Sequence, residues 1–396
     1  MSLPGVGGPA SPARQARSRR EPFGVHTLHM APKNPSVRLR PDIESLPAYV
    51  PGERPTVGMQ VYKLSSNEIA FPPLVAVGAA LVDAAADLNR YPDMYATALT
   101  EALGARHGVG AERVTVGNGS VAVLQHVLTA VCEPGDEVMM AWRSFEAYPI
   151  AVQVAGARAV MVPVDGEGRH DLAAMAAAIT ERTRAVLLCS PNNPTGPALT
   201  QSELRGFLAA VPASVMVVLD EAYIDFVTAP DPTDGPALLG EHKNLVVLRT
   251  FSKAYGLAGL RVGYALARRR LTTGFRAAST PFGVNNMAMA AALAALQAEA
   301  QIRDRVAEVI TERDRVVAAL RDQGWTIPDA QGNFVWLDLG RRATAFADHT
   351  RARGVLVRAF AGDGVRVSIG EPEGNDLFLS LAGEWAARSA RTLERA

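Results

Sequence analysis

Cysteine is scarce in this sequence: Cys132 and Cys189 are the two in 396 residues. They make neither a disulfide framework nor a CxxC metal clip, which suits a reducing, cytoplasmic compartment. Net charge is missing as well. Forty Lys and Arg offset forty Asp and Glu, so no broad field is on offer to nucleic acid or an anionic membrane. No uncharged apolar run reaches the roughly 18 residues of a membrane-spanning helix. The histidines, His26, His29, His107, His126, His170, His242 and His349, show no metal-ligand spacing, and no metal is assigned. No GxGxxG or P-loop follows a predicted strand, which argues against a nucleotide-binding domain. What remains is a chain 48% hydrophobic and 20% charged, long enough for one large domain and a smaller companion.

Residues 1–37 are short of bulky apolar side chains and rich in Gly, Pro, Ser and Arg. Such a stretch cannot bury enough surface to offset the entropy of ordering it, and it reads as a disordered tail. It lacks the apolar centre of a secretory signal. Beyond it the pattern alternates. Helical spacing covers 74–86 and 95–107. RVTVGNGS (113–120) reads as strand, glycine turn and helix start, with Val121, Leu124, Leu128 and Val131 forming the apolar stripe that follows. Buried strands are expected at EVMMAW (137–142), ARAVMVPV (157–164), AVLLCS (185–190), SVMVVLD (214–220) and NLVVLRT (244–250). Helical segments between several of them predict a mostly parallel sheet covered on both faces. From 286 a single long helix is expected through residue 322. GNFVWLDL (332–339), GVLVRAF (354–360) and GVRVSIG (364–370) then read as strands of a smaller α+β domain.

Four polar clusters sit at the ends of predicted strands, where ligands bind in open α/β sheets. VGNGS (116–120) is a glycine turn opening a helix, which offers free N–H groups and a positive dipole end to a phosphate. SPNNPTG (190–196) is a rigid polar loop. In LDEAYIDF (219–226), Asp220 ends an apolar strand, where a carboxylate is costly unless a positive group meets it. RTFSKAYGLAGLRVGY (249–264) brings Lys253 together with Thr250, Ser252 and Arg261. An amine able to form an imine, a carboxylate for a pyridinium nitrogen, a phosphate cup and polar groups for a phenolate oxygen make one chemical set, a pyridoxal phosphate site. Asn118-Gly119-Ser120 is formally a glycosylation sequon, but it falls inside the phosphate turn.

In this order and spacing, SPNNPTG, DEAY and SKAYGLAGLRVGY resemble the fold-type I aminotransferases of the aspartate aminotransferase superfamily. RLRPDIESLPAYVPG, KLSSNE (63–68), RYPD (90–93), GVLVRAF and GVRVSIG narrow the resemblance to the histidinol-phosphate aminotransferase subfamily. The resemblance implies an α/β fold: a large doubly wound domain with a mixed, mostly parallel, seven-stranded sheet, and a small α+β domain. It divides the chain into a segment at 38–73 joining the small domain, a cofactor-binding domain at 74–285 and a small domain at 286–396. It implies a homodimer with shared active sites, no nucleic acid and no membrane.

The resemblance also implies roles. Lys253 matches the lysine that joins pyridoxal 5'-phosphate and then moves the substrate proton. Asp220 matches the partner of the ring nitrogen, and Tyr223 and Asn193 match the groups on the ring hydroxyl. Gly119, Ser120, Thr250, Ser252 and Arg261 match the phosphate cup. Phe145 matches the aromatic stacked on the ring, and Tyr91 a tyrosine that reaches the neighbouring subunit's cofactor. Arg366 matches the arginine that grips the substrate carboxylate, with Tyr49 and Arg358 near the substrate side chain. Two substrates fit these motifs, an aromatic amino acid and histidinol phosphate, with 2-oxoglutarate as the expected acceptor; a carbon–sulfur lyase on the same fold would use the same Lys253 and Asp220. TPFGVNN (280–286), the short link between Arg358 and Arg366, and KLSSNEIAFPP favour the aromatic amino acid. Ile69, Ala70 and Phe71 are expected to make that wall of the pocket more apolar.

Overall fold

The structure, a computed structural model, describes residues 39–46 and 61–393. The expected tail at 1–37 and Tyr49 lie outside the described residues.

Two sheets organise the chain. The larger has the order β2-β8-β7-β6-β5-β3-β4. Its strands are β2 (Val114–Gly117), β3 (Glu137–Trp142), β4 (Arg158–Pro163), β5 (Thr183–Cys189), β6 (Met216–Asp220), β7 (Leu245–Thr250) and β8 (Gly263–Leu266). Among the described residues β8 alone runs against the rest of this sheet. Side chains alternate between two apolar layers. Met139, Val186, Val217 and Val247 enter one layer, and Val138, Leu187, Val218 and Val246 the other. Burial on both faces explains why these strands read as near-continuous Val and Leu runs.

The smaller sheet has the order β1-β10-β11-β9. It pairs β1 (Tyr62–Leu64) parallel to β10 (Val355–Phe360), which runs antiparallel to β11 (Gly364–Ser368), itself antiparallel to β9 (Phe334–Asp338). The sequence shows no signal for β1, since three residues carry no periodicity.

Three expectations need correction. The strand at 157–164 is not buried: β4 closes one edge of the larger sheet and leaves Arg158, Met161 and Pro163 exposed. The helix expected from 286 to 322 is two helices, Asn286–Gln297 and Glu299–Asp322. Ala298 leaves helical geometry at ψ 28° and ends one helix where the other begins. The stripe on helix Ser120–Val131 is Val123, Leu124, Val127 and Leu128, while Val121 and Val131 stay half-buried. Val121 faces the cavity described next, because it lies at the helix start beyond the sheet.

Candidate active site

The carboxyl ends of β2, β3, β5, β6 and β7 open on one cavity of about 330 Å³, and β10 and β11 close it from the smaller sheet. The cavity gathers Ser120, Phe145, Asn193, Asp220, Tyr223, Thr250, Ser252, Lys253, Arg261, Arg358 and Arg366. A larger cleft of about 870 Å³ holds none of the expected site residues. Its cations already have partners, Glu299 for Arg106 at 2.6 Å and Glu221 for Arg249 at 2.7 Å.

One end of the cavity is built for an anion. Gly119 precedes helix Ser120–Val131 with φ 83°, a conformation that glycine takes at no steric cost. The first N–H groups of a helix have no partner inside it and carry its positive dipole end. Arg261, held left-handed at φ 56°, donates from Nη1 to Ser252 Oγ at 3.2 Å and to the Ala258 carbonyl at 3.0 Å. Ser252 N in turn donates to Thr250 Oγ1 at 3.1 Å. A Cβ on Gly119 would overlap the Arg261 guanidinium, and one on Gly263 would overlap Ser120 N. Gly263 is therefore required by close approach of backbone and Gly119 by its positive φ, and together they leave a basic, hydroxyl-lined cup.

Asp220 defines the other end. It is the last residue of β6 and 6% exposed. Oδ2 accepts from Tyr148 Oη at 2.8 Å and Oδ1 from Ala222 N at 3.2 Å. Burial nevertheless pushes its pKa up to about 6, against the pull of those two donors. A buried carboxylate held this way is completed by a cation in the cavity.

Lys253 shares the same space. Nζ donates to the Ser66 carbonyl at 3.2 Å and lies 5.6 Å from the centre of the Tyr223 ring. Burial first, and Arg366 second, push its pKa down to about 7. The amine is thus largely neutral in mild base and able to attack a carbonyl. Tyr223 Oη accepts from Asn67 Nδ2 at 3.0 Å, and the Tyr223 ring meets Phe334 edge-on at 5.1 Å. Arg366 donates to Asn193 Oδ1 at 2.6 Å and to the Ser65 carbonyl at 2.8 Å. That leaves the Asn193 amide group as the donor of its side chain. Phe145 lines the cavity and packs edge-on to Tyr148 at 5.4 Å.

Tyr91 is expected at a neighbouring subunit's cofactor rather than in this chain's own cavity. Tyr91 is 83% exposed and stacks on Phe282, 4.8 Å between ring centres, outside this cavity. The apolar wall is corrected outright. Ser65, Ser66 and Glu68 reach the cavity, but the chain then turns away. Ala70 and Phe71 line a separate groove with Val309 and Pro372, and Ile69 packs against the core.

Asn67, Tyr148 and Glu146 were not anticipated from sequence. Asn67 is fully buried at φ 53° and exchanges two hydrogen bonds with Ser368, a contact 301 residues apart that no local pattern reveals. Tyr148 had a signal, since it lies one helical turn beyond Phe145. Cys189 is buried and Cys132 half-buried against the core; burial pushes their thiols up to about 12 and about 11, out of nucleophile range.

An amine pushed toward neutrality, enclosed with an anion cup and a buried carboxylate, suits pyridoxal 5'-phosphate, and the larger sheet is that of the fold-type I enzymes built around this cofactor. The comparisons agree. The family profile "Aminotransferase class I and II" matches residues 59–380, and the chain belongs to this pyridoxal 5'-phosphate-dependent family. It is 51% identical over 351 residues to the aromatic amino acid aminotransferase of Streptomyces coelicolor, covering 88% of this chain and 98% of the relative. The enzyme of the same name from Thermobifida fusca is 51% identical over 353 residues, 89% and 98% of the two chains. Among solved structures, histidinol-phosphate aminotransferase from Sinorhizobium meliloti in complex with pyridoxal-5'-phosphate superposes with a TM-score of 0.81. It is 28% identical, over 89% of this chain and 98% of that one. Among the described residues, no helix is long and apolar enough to cross a membrane.

Proposed function

We propose that the protein moves the amino group of a phenylalanine-like aromatic amino acid to 2-oxoglutarate, giving the aromatic 2-oxo acid and L-glutamate. The observation that carries this reading is the 51% identity, over nearly nine-tenths of the chain, to relatives named aromatic amino acid aminotransferase.

Bound, pyridoxal 5'-phosphate supplies a carbonyl carbon that takes up the amino group and a ring that accepts the electrons released at the substrate Cα. In this reading Arg261, Ser120, Thr250, Ser252 and the helix start beyond Gly119 hold the phosphate. Asp220 keeps a proton on the ring nitrogen. Tyr223 and Asn193 donate to the ring hydroxyl, and Phe145 covers the ring face. Arg366 grips the substrate carboxylate, with Arg358 beside the side chain. Lys253 would take the substrate Cα proton and return it to the cofactor carbon that receives the amino group. The same groups act in reverse on the acceptor, so ping-pong kinetics are expected. The enzyme is read as cytoplasmic and as a homodimer. Support for the dimer is Tyr91, the tyrosine expected to reach a neighbouring subunit's cofactor, which is exposed in the single chain.

The test is a half-reaction. Holoenzyme is mixed with phenylalanine or with histidinol phosphate, without acceptor, while the visible cofactor absorbance is followed. Faster loss with phenylalanine, restored by 2-oxoglutarate, is expected; preference for histidinol phosphate overturns the reading. A second experiment addresses the phosphate cup. Gly119→Ala adds a Cβ at positive φ against Arg261, and is expected to weaken cofactor binding by about tenfold or more. Unchanged affinity in a titration of apoprotein would put the phosphate elsewhere.

A further inference from the structure

Arg358 and Arg366 are directly opposed across β10 and β11. Residues paired this way project from the same face of the sheet about 5 Å apart, where like charges repel. Both line the cavity, and Phe360 carries both, with guanidinium carbons 5.6 and 5.8 Å from its ring centre. Arg366 donates to two uncharged oxygens, Asn193 Oδ1 and the Ser65 carbonyl. Arg358 donates to both carboxylate oxygens of Glu146, at 2.6 and 2.8 Å.

The side chains of Arg358 and Glu146 are 11% and 23% exposed, so solvent screens this pair less than a surface ion pair. Glu146 comes from the other sheet, in the turn after β3 that also carries Phe145. A third guanidinium, Arg143, lies 5.4 Å from the Phe360 ring centre and is paired with Asp363. It therefore offers no substitute cation.

We propose that Glu146 sets side-chain specificity. By neutralising Arg358 it turns away substrates whose side chain ends in a phosphate or phosphonate dianion, while an uncharged ring enters freely. The inference rests on the reading above, in which Arg366 takes the α-carboxylate and Arg358 faces the side chain. A dianion that reached Arg358 would have to displace Glu146 or sit beside it. Either course leaves two negative groups together in a poorly screened place. An aromatic ring carries no such penalty.

The test compares wild type, Glu146→Gln, Arg358→Gln and the double variant as holoenzymes. The probes are L-phenylalanine and L-2-amino-4-phosphonobutanoate, which keeps the α-carboxylate and adds a dianionic end. Glu146→Gln is expected to raise the ratio of kcat/KM for phosphonate over phenylalanine by about tenfold or more. The double variant should return the ratio to the wild-type value. A ratio within twofold of wild type in Glu146→Gln, or a gain that survives loss of Arg358, overturns the proposal. The dissociation constant of the phosphonate, read from the cofactor spectrum, should fall in parallel; Glu146→Ala gives the same reading if the Gln variant folds poorly. Wild-type preference for phenylalanine tests the aromatic reading separately. Should that reading fail, the change in phosphonate affinity on substituting Glu146 still decides the specificity role.

Discussion

Lys253→Ala is expected to lower turnover by at least about 10⁴-fold while the protein still folds. The site puts two demands on one amine. It must be neutral to attack a carbonyl, and it must later take and return a proton at the substrate Cα. The cavity prepares it for both, because burial and the nearby Arg366 push its pKa down to about 7. The same shift predicts an effect on stability. Below about pH 7 the folded apoprotein holds an ammonium that burial disfavours, whereas the unfolded chain keeps it in water at no such cost. Above about 10.5, the ordinary lysine value, both states are neutral. The penalty is therefore present in acid and fades as pH rises from about 7 to 10.5. Apoprotein carrying Lys253→Met, which keeps the stem without the charge, should melt above wild type at pH 6, with the gap narrowing toward pH 10. Appreciable transamination by a clean Lys253→Ala preparation would remove Lys253 from its assigned role. A melting gap that does not change with pH would mean the amine is not held away from solvent.

Most of what positions this site was legible because it lies at strand ends. Asp220, Thr250 and the turn at Gly119 close runs of Val and Leu that reveal themselves by composition, and a polar residue just beyond such a run stands out. Lys253 was legible through its neighbours Thr250, Ser252 and Arg261. The buried interior of the larger sheet was equally readable, but its exposed edge was not. β4 has the composition of a buried strand and, among the described residues, lacks a neighbour on one side, which is a fact of strand order rather than of sequence. The smaller sheet joins β1 to β10 across almost 300 residues, and the Asn67–Ser368 bonds depend on that pairing. The break at Ala298 was hidden because alanine is the strongest helix former and gives no stop signal. The wall at Ile69 to Phe71 misled for a related reason: residue type gives polarity, not direction, and the chain turns out of the cavity after Glu68.

Asp220→Asn should cost roughly 10²–10³-fold or more in turnover, and much less in cofactor occupancy. The phosphate cup, not Asp220, supplies most of the polar contacts at the far end of the cavity, so the variant should still load. What it loses is a fixed negative charge where a ring proton has to be held. The apoprotein offers an independent check on that charge. Burial raises the Asp220 pKa to about 6, above the ordinary 3.8, so the folded state holds this proton more tightly than the unfolded chain does. Stability from that proton is fully present below about pH 3.8 and is lost as pH rises through about 6. Replacing the carboxylate by a neutral amide removes the loss. Apo Asp220→Asn should therefore gain on wild type as pH rises from 4 to 7, and hold that advantage at pH 8. Saturating cofactor should erase the advantage, since a cation beside Asp220 turns the buried carboxylate from a liability into a partner. Tyr148→Phe removes one of the two donors on Asp220, at 2.8 Å, and leaves the Ala222 amide. Its effect on turnover should be smaller than that of Asp220→Asn. Near-wild-type turnover of Asp220→Asn, or an apoprotein whose stability ignores the substitution at pH 8, would take the buried charge out of the chemistry.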